Sequence, residues 1–185
     1  MDFLTDSIRR NKFDQLGGLK ALYLFPYTRH SKSLITVSNQ FLTAFPATDI
    51  FLVECVSLSY NEQPSEENGS IKFSQSLQFT VPHTESDSEI WKLLKQNYSA
   101  IYVDNLGNTR IVGLYNGAKV SYKNESGSSI SDLNGYSVTM NAVETNQAYF
   151  IDDLTTLGFT IIDSEFLAQE NGCLLLQENN FEILV

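Results

Sequence analysis

The sequence predicts a mainly β fold: an antiparallel β-sandwich or barrel with one packed α-helix and a C-terminal β-hairpin extension. Three observations predict it. From Ile71 to Val81 the apolar residues Ile71, Phe73, Leu77, Phe79 and Val81 alternate with polar ones, as do Tyr136, Val138 and Met140 with Ser137, Thr139 and Asn141. That is the period of a strand with one buried face. Between apolar runs lie Asn105-Leu106-Gly107-Asn108, Asn116-Gly117 and Asn134-Gly135, and Asn-Gly supplies the positive-φ residues that tight hairpins demand. Twelve Phe and nine Tyr stand in a chain only 18% charged, a balance that favours sheets over helices.

The 185 residues suffice for one sizeable core with appendages. Residues 1–18 read as an N-terminal arm with weak helical spacing, ended by Gly17-Gly18. Residues 19–153 read as the β-sandwich domain, with a helix near 87–97, and residues 154–185 as a repeat-containing tail for assembly. In order, Leu19–Phe25 is a strand closed by Pro26, Leu34–Val37 a second, and Phe51–Tyr60 a long third one. Asn61–Ser70 reads as a polar acidic loop, and Ile71–Val81 returns as the other arm of a long hairpin. Gln75 is the one polar residue on its inward face. Ser86 and Glu89 have capping-box spacing, and Ile90, Trp91, Leu93, Leu94 and Tyr98 form a stripe expected to pack on a sheet. Three or four strands follow between Ser99 and Ala142, then short apolar runs at 146–151 and 159–162. In the tail, Phe166–Gly172 realigns with Leu174–Asn180 at an offset of eight, each copy an apolar triplet followed by an acidic turn.

Four groups of residues have the side chains for chemistry, and each has a plainer role. His30 lies in a basic loop with no carboxylate or nucleophile beside it, which suits a solvated histidine or a contact to a neighbouring subunit or phosphate. Asp152 and Asp153 are adjacent, so their side chains point apart, and a solvated turn explains them. Asp104–Asn108 and Ser131–Gly135 cluster oxygen ligands, but neither has the spacing of a calcium loop, and Asx turns account for both. Cys55 and Cys173 sit in apolar runs and read as free, buried thiols. No nucleotide-binding, metalloprotease or nucleophile-elbow motif is present, and the reading assigns no catalytic, cofactor or metal residue and no enzyme activity. No apolar run reaches the roughly 20 residues of a membrane span.

The net charge of −10 argues against a general nucleic-acid binder, although an acidic wall would let DNA slide past without sticking. Its distribution is uneven. Residues 1–32 carry six basic and three acidic side chains, whereas residues 124–185 carry ten acidic ones and no Lys or Arg. Such polarity suits head-to-tail contact between copies, and equally two solvated faces of one domain.

The runs DNLGNTRIVGLYNGAKV (Asp104–Val120) and SGSSISDLNGY (Ser126–Tyr136) resemble small structural proteins of tailed phages infecting Bacteroidetes, such as crAss-like phages. The repeats of the tail resemble those at the ends of phage structural proteins. The resemblance implies a tail-tube-like fold and a virion protein, assembled in the host bacterial cytoplasm. Its partners would be copies of itself in a six- or twelvefold ring, other tail or neck proteins, and genomic DNA passing through an acidic lumen without specific binding. The alternative is a β-sandwich binding module for carbohydrate or receptor at a tail tip, using Trp91 and the tyrosines. Against it, Trp91 falls on the stripe expected to be buried.

Overall fold

A computed structural model describes residues 18–67, 69–82, 87–126, 134–162, 167–168 and 174–175. Its elements are β1 (Leu19–Pro26), β2 (Thr36–Ser38), β3 (Phe41–Ala44), β4 (Thr48–Leu52), β5 (Ser57–Glu67), β6 (Ser70–Pro82), α1 (Asp87–Lys92) and β7 (Tyr98–Asp104). They continue with β8 (Thr109–Val112), β9 (Lys119–Glu125), β10 (Gly135–Glu144), β11 (Tyr149–Ile151), β12 (Phe159–Ile162), β13 (Leu167–Ala168) and β14 (Leu174–Leu175). The fold is mainly β with one short helix, as the alternating patterns predict.

The smaller sheet runs β5-β6-β10-β9, all antiparallel. Met140 lies between Leu77 and Val120, and Val138 between Phe79 and Tyr122, so the inward residues of three strands form one apolar row. The larger sheet has eight strands in the order β12-β4-β1-β7-β8-β11-β3-β2. Five strand spacings, about 24 Å in a flat sheet, separate β4 from β3. The three residues joining those strands let Ala44 and Thr48 stand at most about 15 Å apart. The sheet therefore rolls.

Rolling gives the larger sheet two buried faces. Leu22, Leu24, Ala100, Tyr102 and Val112 face the smaller sheet and share a core with Leu77, Phe79, Val138 and Met140. Ile101, Ile111, Phe25, Ile50, Leu42, Ile151 and Phe159 fill the inside of the roll. Phe45 and Phe159 stack there at 5.1 Å, with Phe25 against both. Burial on both faces is why β7 is buried without interruption from Tyr98 to Tyr102 rather than at every second residue.

Several expectations need correction. Phe51–Tyr60 is not one strand: β4 ends at Leu52 in the larger sheet and β5 starts at Ser57 in the smaller one. Residues 53–56 carry the chain across, with the Val53 N–H donating to Leu22 O at 2.9 Å and the Val56 N–H to Thr80 O at 2.8 Å. The loop expected at 61–70 is mostly strand, because β5 continues to Glu67. Pro64 is tolerated since β5 is an edge strand, where a missing N–H need not break a ladder. The strand expected at 34–37 is a 3-10 turn at Lys32–Leu34 followed by β2, which joins β3 through Asn39 and Gln40, both at positive φ (49° and 69°).

Asn134-Gly135 is not a tight turn either. Gly135 opens β10 between Pro82 and Glu125, and a Cβ there would lie 2.3 Å from Val81 O, so close strand packing selects the glycine. The helix stops at Lys92, short of the expected 97. Ile90 and Leu93 pack on the sandwich core, but Trp91 is 60% exposed and Leu94 47%. At 100° per residue so short a helix offers the core one row, i and i+3, and the neighbouring row faces water. The arm at residues 1–17, the cap residue Ser86 and most of the tail lie outside the described residues. Of the tail hairpin, β13 and β14 pair antiparallel, Leu167 with Leu175 and Ala168 with Leu174.

Candidate assembly interface

Polar side chains converge in a crease between the sheets lined by Gln75, Tyr115, Glu144, Asn146 and Tyr149 over Ile111 and Leu114. The inward parity of β6 carries Gln75 into the interior, where it is 2% exposed. Its Oε1 accepts the Gly113 N–H at 3.1 Å, and its Nε2 donates to Glu62 Oε2 at 3.2 Å. Glu62 also receives Tyr60 OH at 2.7 Å and the Ala148 N–H at 2.8 Å. Glu144, 3% exposed at the end of β10, accepts the backbone N–H of Tyr115 at 3.0 Å and of Asn116 at 2.9 Å. Burial raises the Glu144 pKa above its ordinary value, and the Asn116 and Tyr115 amides oppose that rise. Burial also lifts Tyr60, helped by its bond to Glu62, and pushes Tyr102 up to about 12.

Among the described residues no buried side-chain nitrogen or oxygen lacks a partner. The carboxylates accept from amides of the β8–β9 loop and of the approach to β11, so the crease ties strands together. Only the inward polar Gln75 was visible in the sequence. Glu144 was hidden, because nothing local marks a charged residue at a strand end as buried.

Asp104, Asp153, His30 and Cys55 take structural places. Asp104 Oδ1 accepts the N–H groups of Leu106 (2.9 Å) and Asn108 (2.8 Å), an Asx turn. Asp153 Oδ1 accepts the Thr155 N–H at 2.9 Å, and Asp152 is exposed. His30 is half-buried, edge-on to Phe45 at 5.2 Å. Cys55 is a free, half-buried thiol in the link between sheets, not in a strand, and burial raises its pKa. Residues 131–133 and Cys173 lie outside the described residues. Among the described residues no three His, Cys, Asp or Glu side chains group to hold a metal.

What the molecule offers outward are rims and aromatics. β5, β9, β12 and β2 are the terminal strands of the two sheets. At the β12 end Ile162 is paired with Phe51 and Ile161 with Ile50, and Phe51, Leu52, Ile161 and Ile162 are all exposed. The β5–β6 hairpin runs past β10, whose last pair is Glu144 with Phe73, and carries exposed Ile71 near its turn, with Glu67 and Lys72 ion-paired beside it. Across β8, β11 and β3, Arg110 lies 4.1 Å over the Phe150 ring, which stacks on Phe41 at 5.3 Å. Trp91 stands edge-on to Tyr122 at 5.8 Å, and Tyr122 edge-on to Tyr136 at 5.4 Å.

Among the described residues no helix is long and apolar enough to cross a membrane. No protein-family model matches the chain, and no curated protein or solved structure matches it.

Proposed function

We propose that this chain is a structural subunit of a tailed-phage virion, assembled in the host cytoplasm into a ring or tube segment of the tail or neck. Its partners are further copies of itself and adjoining tail or neck proteins, and genomic DNA passes through an acidic lumen without specific binding. The observation that carries the reading is the exposed apolar rim: four large apolar side chains stand in water on the last two strands of a sheet whose terminal ladder is open among the described residues. An open, apolar strand edge is a template for another chain. The resemblance of Asp104–Val120 and Ser126–Tyr136 to phage structural proteins supplies the setting. Negative-stain electron microscopy of the purified chain tests it. Closed rings or short tubes are expected, and a field of isolated 20.8 kDa particles at all concentrations would refute it.

One observation favours a second reading, a glycan-binding module at a tail tip. Trp91 is exposed and stands beside Tyr122, an arrangement on which a sugar ring can stack. Glycan-array binding that is lost in Trp91→Ala, from a chain that stays monomeric, would favour this reading over the first.

A further inference from the structure

Two elements of this chain are unfinished. The first is the β12 end of the larger sheet, where among the described residues β12 pairs only with β4 and no strand lies along its outer row of backbone N–H and C=O groups. Phe51, Leu52, Ile161 and Ile162 leave apolar surface in water at the same place. The second is the β13–β14 pair, a two-stranded sheet of its own with no third strand among the described residues. A lone two-stranded hairpin is marginal in water, and an open apolar edge is prone to pair. Each supplies what the other lacks.

They are also adjacent in the chain. Only four residues, 163–166, separate Ile162 from Leu167, so every copy carries the hairpin just beyond the edge it would complete. Its own hairpin does not pair with its own β12: β13 takes β14 as partner and β12 takes β4.

We infer that the β12 edge is the acceptor site for the β13–β14 hairpin of a neighbouring copy, which adds to the eight-stranded sheet beside Ile161 and Ile162. The contact joins two different surfaces of identical chains, so it is heterologous, and repetition about an axis gives a ring. The inference rests on the assembly reading above and names its lateral contact. Affinity comes from backbone hydrogen bonds and apolar burial, and selectivity from the side chains that flank the new strand.

The test uses the full chain. In Ile162→Lys a charged side chain stands at the edge, a device that blocks strand addition, and because residue 162 is exposed the fold is expected to survive. The expected result is a folded monomer, by circular dichroism and light scattering, at concentrations where the parent is assembled. A second variant needs no disruption: Thr160→Cys, in a Cys55→Ser background, places a thiol on the edge strand, and Cys173, the residue before β14 in sequence, is the thiol that a neighbour's hairpin would bring to it. Mild oxidation should then give a ladder of covalent multimers on a non-reducing gel. If the parent assembles while Ile162→Lys still assembles and Thr160→Cys gives no ladder, the inference is overturned and the assembly reading stands. A disulfide confined to single chains overturns it as well. A parent that never assembles overturns both.

Discussion

The Asn116 backbone N–H donates to Glu144 Oε1 at 2.9 Å, while the Asn116 side-chain amide donates to Val143 O at 2.7 Å. One residue of the β8–β9 loop is thereby held at both its main chain and its side chain by the last two residues of β10. Removing the carboxylate takes the acceptor away from the Tyr115 and Asn116 amides in a half-buried place. Glu144→Ala is expected to lower unfolding stability by about 1–3 kcal/mol, since two hydrogen bonds worth about 0.5–1.5 kcal/mol each are lost and water reaches the freed donors. Urea denaturation of the two proteins measures it.

The same residue sets a pH dependence. Its folded pKa is raised above the ordinary 4.5, chiefly by burial, so the folded state holds the proton more tightly than the unfolded chain. Its contribution is fully present below 4.5 and is lost as pH rises through the raised folded value. The stability difference between the parent and Glu144→Gln should shift against the parent over that interval and be level above it. Urea midpoints of both proteins across the acid range check the sign, and a difference that moves in the parent's favour would contradict the assignment.

Gly135→Ala tests close strand approach. The added Cβ would meet Val81 O at 2.3 Å, and because that neighbour is backbone it has little freedom to yield. A loss of about 1–3 kcal/mol is expected, the usual cost of overpacking, read as a lower thermal midpoint.

Trp91 is the chain's single tryptophan and is 60% exposed, so the isolated chain should fluoresce at long wavelength. Trp91→Ala should cost no more than about 1.5 kcal/mol, the scale of its edge contact with Tyr122. A blue shift on adding a glycan would support the tip-binding reading, whereas an emission maximum already at short wavelength in the monomer would contradict the exposed side chain.

Salt separates two kinds of contact. Strand addition at β12 depends on backbone bonds and apolar burial, whereas stacking of rings by the charge polarity of the chain is screened as the Debye length falls from about 10 Å at 0.1 M to about 3 Å at 1 M. Sedimentation should show stacked species coming apart into single rings at high salt, with the rings intact.

Strands with one wet face were legible from their alternation: β6 and β10 stand where Ile71–Val81 and Tyr136–Met140 put them. β3 was not, because its hairpin turns on Asn39-Gln40 and glutamine is no signal for positive φ. The break at 53–56 was missed because a strand that changes sheets keeps its apolar composition through the corner. Pro64 misled for a related reason, since a proline marks a loop unless the strand is known to be an edge. Of the candidate interface, the tail hairpin was legible as a repeat. The rim it is proposed to meet was not, since exposure of Phe51 and Ile162 depends on which strands come last in the sheet. Trp91 shows the same limit, for its row on a helix of six residues follows from how the helix docks.

The measurement that bears most directly on the account is the mass of the parent chain in solution, followed by light scattering behind size-exclusion chromatography over a range of concentrations. A discrete multiple of 20.8 kDa that persists on dilution and reverts to a single chain in Ile162→Lys is the predicted result. A constant mass of one chain at every concentration, with the β12 edge still open to solvent, would contradict it.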